Sequence, residues 1–511
     1  MEGIDCAGFT FYNQFDSANL AKVAYVPPNE SVITVTSNSA KAPPEIPDAE
    51  FNVWTKPDCC GTEFENGNRT WFYFGVKAHS PCLLVRLNLV DLNRQGKMYS
   101  QGMAPVFRMI PGKPHWERIR DKPIHHTIDD VFTLSFKFKT PENVQSITYF
   151  AFTYPFSYAD LQKLLLNVDL KFQHYMATCE DDIYYTKEVV CRSLCGREVN
   201  LLTISSYHGI TPEPEARLKN LFPDKTTRRP FKFIGKKVIF ISARVHPGET
   251  PSTFVFNGLL NLLITRDDPV AIMLRRLYVF KMIPFLNPDG VALGHYRTDT
   301  RGVNLNRVYL SPLLSQHPPV YAARALIRYY HYGYEKEDVG DKCTCSANQA
   351  ELSRNEDGTQ NDSSISTKVS HMSLEENENS DSLWCIKCKN MKVDDAVSGI
   401  SNLSPKANFD KPFYPGHMCR RCRSADMLKE AAENIKIEDH VQGDVNSNES
   451  GLFLYVDLHG HASKKGIFMY GNHFQDLDRN VECMLLPKLM SINNHNFHFT
   501  ACNFTERNMY L

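Results

Sequence analysis

The sequence predicts an α/β protein in two parts: an N-terminal antiparallel β-sandwich over residues 1–158, and a mostly parallel, doubly wound α/β/α domain over 159–511. Three changes of texture predict it. Up to about residue 158, short β-rich runs are broken by Pro, Gly, Asn and Asp. Beyond it, continuous apolar runs alternate with segments of helical periodicity. Between about 335 and 450 neither pattern holds.

In the first part the strand candidates are RTWFYFGV, PCLLVRLNLV, VFTLSFKF and SITYFAFTY, with a polar stretch near 28–48. Short strands at such spacing favour two packed antiparallel sheets. PFSYADLQKLLLNVDLKF then has a helical period and opens the second part. Its strand candidates are VNLLTISS, KKVIFISAR, RLYVFKMIPFL, GLFLYVDLHG and KGIFMYG; its helix candidates include 251–264 and PVYAARALIRYYHYG. Strands that are apolar throughout and separated by helices predict a sheet covered on both faces. The segment ANQAELSRNEDGTQNDSSISTKVSHMSLEENENSDS is polar, acidic and nearly free of aromatics, so 335–450 reads as a disordered insertion in a surface loop. There is no internal repeat.

Composition narrows the function classes. The chain has 511 residues, 42% hydrophobic and 23% charged, as expected for a globular protein of more than one domain. Its net charge of -1 argues against a broad electrostatic grip on nucleic acid or an anionic membrane, so neither is an expected partner. No run approaches the roughly 18–20 apolar residues that span a bilayer. MEGIDCAGFTFYNQF carries acids where a secretory signal needs positive charge. Fifteen cysteines, an odd number, read as mostly reduced thiols of a cytosolic or nuclear protein. No phosphate-cradling G-x-x-x-x-G-K or strand-following G-x-G-x-x-G occurs.

In a doubly wound sheet, functional groups collect beyond the carboxyl ends of the strands. His246 and Glu249 stand there in ARVHPGETPS, after VIFISAR, with a Pro-Gly turn between them that could aim both at one point. An imidazole nitrogen and a carboxylate oxygen suit zinc. A second strand end, FLYVDLHGHA, offers His459, whose ring Asp457 could orient. Two histidines, one carboxylate and an open position are the donor set of a catalytic zinc site. Taken singly, the H-x-x-E pair is more often a surface pair or a helix-start carboxylate, and His459 more often a satisfied strand-end histidine; their joint position at two strand ends favours the metal. A third segment, FLNPDGVALGHYRTDTRGVNLNRVYL, supplies Arg297, Arg301 and the pair Asn306–Arg307. Arginine forks bind carboxylates bidentately, as the clamp for a free chain end requires; the alternative is a solvated basic turn.

H-P-G-E, N-P-D-G-V…R…G-V-N-L-N-R and D-L-H-G-H together resemble the zinc metallocarboxypeptidases, and among them the cytosolic carboxypeptidase family. FAFTYPFSYADL is similar to that family's junction between its β-domain and its peptidase domain. FNVWTKPDC…TEFENGNRTWFYF and YSQGMAPVFR extend the resemblance over nearly the whole chain outside 335–450. It implies that His246, Glu249 and His459 bind one Zn2+, that Arg297 serves the oxyanion or the substrate carboxylate, and that Asn306 with Arg307 clamps the terminal carboxylate. It implies as substrates the glutamates of polyglutamylated tubulin and similar acidic tails, branch-point glutamate included. In the family the general base is a glutamate on a late strand. After His459 only Glu482 and Glu506 follow, one in a helical pattern and one in a loop, so no base is assigned and the peptidase domain is expected to be incomplete at its C-terminal end.

Two other functions compete: a non-catalytic protein that holds tubulin or another acidic partner, and a small-molecule deacylase on the same scaffold. The added β-domain, a protein-docking module, argues against the deacylase. CIKC at 385–388 and HMCRRC at 417–422 could form a structural zinc knuckle, but their separation is long and exposed reduced cysteines are the adopted reading; Cys343 and Cys345 carry less. LIRYYHYGYE reads as a helix packing on the sheet.

Overall fold

The computed structural model describes residues 2–28, 45–336, 449–462 and 464–506. Most of the 335–450 segment lies outside the described residues, including Cys343, Cys345 and both C-x-x-C pairs, as does most of the polar stretch near 28–48.

The N-terminal strands are β1 (Ile4–Cys6), β2 (Phe9–Tyr12), β3 (Lys22–Tyr25), β4 (Ala49–Trp54), β5 (Tyr73–Ala78), β6 (Leu84–Val90), β7 (Val106–Ile110), β8 (Lys113–Arg118), β9 (Ile124–Ile128), β10 (Val131–Lys139) and β11 (Ile147–Ala151). They form two sheets, ordered β1-β2-β5-β11-β7-β8 and β3-β4-β6-β10-β9. Phe11, Phe74 and Phe150 of the first share a core with Phe51, Leu87 and Leu134 of the second, as a sandwich requires. In VFTLSFKFK, Phe132, Leu134 and Phe136 turn inward while Ser135 and Lys137 do not, which is the period of a strand with one buried face. The pairing departs from full antiparallelism at one place: β4 and β6 are parallel. Parallel neighbours need a crossover, and β5, which lies in the opposite sheet, is that crossover.

Helix α1 (Gly96–Ser100) links β6 to β7, and α2 (Tyr158–Phe172) opens the second part. Ser157 and Asp160 close a capping box at the start of α2. There follow β12 (Ile183–Arg192), β13 (Glu198–Ser206), a small pair β14 (Ile210–Pro214) and β15 (Phe231–Phe233), then β16 (Lys237–Ala243), α3 (Pro251–Leu263), α4 (Pro269–Leu277), β17 (Tyr278–Ile283), α5 (Pro288–Leu293), α6 (Pro318–Tyr332), β18 (Leu452–Leu458) and α7 (Leu477–Asn493). The central sheet runs β12-β13-β17-β16-β18. Alternate residues of β16 serve opposite faces: Val238 and Phe240 pack with Leu326 of α6, while Ile239 and Ile241 pack with Leu161 of α2 and Phe256 of α3. A strand covered on both sides has no polar face, hence the continuous apolar run.

The expected α/β layering is present, with a mixed sheet. The pairings β16–β17 and β16–β18 are parallel, whereas β12–β13 and β13–β17 are antiparallel. β12, whose polar, charged face gives a weak strand signal, makes a hairpin with β13 and so sets the antiparallel half. KGIFMYG is not a strand: Ile467 and Tyr470 make isolated bridges to Phe497 and Asn503. No helix among the described residues is long and apolar enough to cross a membrane.

A buried charge cluster ties β12, β17 and α6 to the 210–231 segment. Arg229 pairs with Glu188 and, at 3.0 Å, with Glu215; Lys281, fully buried, lies 2.7 Å from Glu215; the Tyr330 hydroxyl donates to Glu215 at 3.0 Å. Removing one partner of such a set leaves an uncompensated charge in a low-dielectric interior. Glu215→Ala, which leaves the buried Lys281 without its carboxylate and Arg229 with Glu188 alone, is expected to cost about 3–5 kcal/mol in urea unfolding; a loss below about 1 kcal/mol would mean that the cluster is not desolvated.

Candidate metal centre

Parallel pairing of β16 with β18, in the register Ser242↔Asp457 and Ala243↔Leu458, brings the carboxyl ends of two distant segments side by side. His246 follows the first and His459 the second. The turn after β16 is shaped by Arg244, a residue no sequence signal marked. It has φ +57° and is buried. Its guanidinium donates twice to the Pro247 carbonyl, at 2.6 and 3.0 Å, and also to the Phe156 carbonyl and the Thr253 hydroxyl. Gly248 donates its N–H to the Tyr296 carbonyl at 2.8 Å, and a Cβ on Gly248 would lie 2.6 Å from the Tyr296 ring. Gly290 is as constrained: its Cβ would lie 2.4 Å from Pro247 Cγ. Close approach, rather than turn conformation, requires glycine at both positions.

The three expected ligands converge. His246 Nδ1 lies 2.9 Å from Glu249 Oε1, and His459 Nδ1 lies 3.0 Å from Glu249 Oε2. One donor atom from each residue falls within 4.8 Å of the other two. The far side of each ring meets an oxygen: His246 Nε2 faces Asn304 Oδ1 at 2.9 Å, and His459 Nε2 faces Asp457 Oδ2 at 2.9 Å. Acceptors there place a ring proton on each Nε2; His246 Nδ1 then turns a lone pair toward Glu249, while His459 Nδ1 shares a second proton with Glu249 Oε2, the proton a metal ion would displace. Asp457 is itself held by the Ser242 hydroxyl at 2.7 Å, and Glu249 Oε2 accepts the Gly460 N–H at 2.9 Å.

This donor set fits a cation. With both Nδ1 atoms deprotonated, two imidazole lone pairs and a carboxylate point at one spot and repel one another unless positive charge, the His459 proton or a metal ion in its place, lies between them. His246 Nδ1 is buried, and despite its proximity to Glu249 it is outside hydrogen-bond geometry, so a ligand atom stands without a partner. The same charge pattern governs the protons. Burial favours neutral Glu249, but its close contacts with the two imidazoles, His246 and His459, win and hold it far below the usual carboxylate range. Burial would lower His459, but Asp457 and Glu249 push it up to about 10.

Arg297 flanks the trio, with Nη1 3.8 Å from Glu249 Oε1 and its side chain 34% exposed. Asn306 and Arg307 lie in a single 3-10 turn, Leu305–Arg307, where Arg307 donates to the Asn306 carbonyl at 3.2 Å. Desolvation and the neighbouring charge of Arg297 depress Arg307. Among the described residues no carboxylate pairs with Arg307, and its repulsion with Arg297 is the kind of strain an anion would relieve. Arg301 is elsewhere, over the Phe64 ring at 5.2 Å. Glu482, on α7, and Glu506 are exposed and do not join the trio. The sequence does not single out Asn304, because G-V-N-L-N-R offers two asparagines and only the fold brings this one to His246.

Residues 173–385 match the zinc carboxypeptidase family. Cytosolic carboxypeptidase-like protein 5 of Bos taurus is 44% identical over 514 residues, covering 99% of this chain and 54% of the relative. The Homo sapiens protein of the same name is 44% identical over 530 residues, with 99% and 54% covered. Cytosolic carboxypeptidase 6 of Mus musculus is 32% identical over 291 residues, 55% of this chain and 46% of that one. The chain spans about half the length of the first two relatives.

Zinc and the His459 proton compete for one place. Because His459 is raised to about 10, zinc binding near neutrality is expected to release about one proton, and affinity to rise with pH toward that value. Calorimetry in buffers of different ionisation enthalpy measures this; no proton release at neutral pH would contradict it. Asp457→Asn is expected to lower zinc affinity about 10–100-fold.

Proposed function

Because the chain belongs to the zinc carboxypeptidase family, we propose that it is a zinc-dependent metallocarboxypeptidase removing glutamate, branch-point glutamate included, from polyglutamylated tubulin and similar acidic protein tails. The convergence of His246, Glu249 and His459 at two adjacent strand ends is the observation that carries the reading.

Zinc, when bound, supplies Lewis acidity that acidifies a water molecule and polarises the scissile carbonyl. The chain's own residues supply orientation. Asn304 and Asp457 hold the two rings with Nδ1 presented inward. Arg297, beside the trio, is placed to meet substrate negative charge, both that developing on the carbonyl oxygen and, with Arg307, that of the terminal carboxylate. Asn306 and Arg307 form the clamp for the substrate's terminal carboxylate, and the electrostatic strain between Arg297 and Arg307 is relieved when an anion enters. The reading places the protein in the cytoplasm, with the nucleus and microtubules as further sites of action; the relatives' names, cytosolic carboxypeptidases, support the first.

The competing reading is a protein that holds acidic tails without cleaving them; among the described residues, Glu482 and Glu506 are exposed and stand apart from the trio.

Polyglutamylated tubulin incubated with the zinc-loaded protein separates the two. Free glutamate is expected, reduced about a thousandfold or more in His246→Ala. Arg307→Ala is expected to raise KM about tenfold or more with less effect on kcat. Tail binding without glutamate release would establish the second reading instead, and full activity in His246→Ala would remove the zinc assignment.

A further inference from the structure

One segment by which the N-terminal sandwich reaches the candidate site is residues 57–66, between β4 and β5. Asp58 in that segment is 1% exposed. No ion pair neutralises it among the described residues. Its carboxylate is held by the segment after α5. The N–H of Tyr296 donates to Oδ1 at 2.6 Å, those of Arg297 and Thr298 donate to Oδ2 at 2.8 Å each, and the Thr298 hydroxyl donates to Oδ2 at 3.1 Å. Consecutive backbone N–H groups make a concave nest for an anion, and hydrogen bonds to an ionised acceptor are the strong class.

The middle donor is the amide of Arg297 itself. On the other side of the same stretch, the Tyr296 carbonyl accepts the N–H of Gly248, in the turn between His246 and Glu249. One short piece of backbone is therefore pinned by the sandwich on one side and by the metal turn on the other. Further bonds reinforce it: the Cys59 N–H to His295 Nε2 at 3.3 Å, the Asn66 amide to the Thr298 hydroxyl at 3.2 Å, and the Gln95 amide to the Tyr296 hydroxyl at 2.9 Å.

We infer that Asp58 is a positioning residue for Arg297: an acid from the β-sandwich fixes the backbone from which that guanidinium meets the substrate. The inference rests on the carboxypeptidase reading, and it gives the sandwich a part in recognition separate from holding the metal. The consequence is a split. Loss of Asp58 leaves the zinc ligands in place and removes discrimination for a free chain end.

The test uses the zinc-loaded 511-residue chain and a fluorescein-labelled tetraglutamate peptide, either with a free α-carboxylate or as its C-terminal amide, with affinity read by anisotropy. Wild type prefers the free acid. Asp58→Asn and Arg297→Ala each lower that preference about tenfold or more, and the double variant falls no further than Arg297→Ala alone. Asp58→Asn still holds one zinc per chain, while hydrogen exchange at the 296–298 amides speeds up. Thr298→Val, which removes only the hydroxyl donor, moves the preference the same way by less, and Thr298→Ser restores it; this pair carries the test if Asp58→Asn does not retain zinc. An unchanged preference in zinc-retaining Asp58→Asn, additive losses in the double variant, or an unchanged preference in Thr298→Val overturns the inference and leaves the carboxypeptidase reading standing. A wild-type chain that does not distinguish acid from amide overturns that reading, and the inference with it.

Discussion

The parallel pairing of β16 with β18 is the constraint on which the site depends. It joins segments separated by some two hundred residues and sets Ser242 opposite Asp457. Parallel strands end at the same edge of a sheet, so the turns that leave them meet. His246 and Glu249 come from one turn and His459 from the other. A shift of one residue in that register would turn Asp457 and His459 to the opposite face, and the carboxylate would face no imidazole. The apolar residues of β16 set the register by packing against helices on both sides.

Around this pairing the protein holds its ligands with polar groups that have few alternatives. Arg244 is buried without a carboxylate and spends its donors on backbone carbonyls, which bends the metal turn. Asn304 and Asp457 each face an imidazole nitrogen, and Ser242 in turn holds Asp457. These supports matter because ligand orientation, as much as ligand identity, sets the affinity of a metal site. What results is a concentration of lone pairs that is unfavourable by itself and becomes favourable around a cation.

The sandwich is tied to the same region by apolar contact, with the Tyr296 ring on its core, and by hydrogen bonds. Asn19 donates to the Gly294 carbonyl, Ser17 to the Ala292 carbonyl, and Asp58 accepts from three successive amides. Directional bonds of this kind fix the angle and register of a segment, whereas an apolar patch tolerates sliding. The segment so fixed carries Arg297. The two halves of the chain thus meet where the candidate chemistry is, not at an indifferent surface.

Local pattern by itself determined much of this. The helical periods of 158–172 and 318–332, the apolar runs of β13, β16, β17 and β18, and the three motif segments are written within windows of ten to twenty residues. The resemblance of those motifs then named the ligand set His246, Glu249 and His459. Tertiary structure alone decided which strands run parallel, that β4 crosses to β6 through the other sheet, and that KGIFMYG stays outside the sheet. It also decided that Asn304 meets His246 and that Asp58 receives the Arg297 segment. The physical reason is range. Periodicity and turn chemistry act between neighbours in the chain, whereas a lone Asp or Asn acquires its role from a partner tens to hundreds of residues away, brought near only by the packing of the whole.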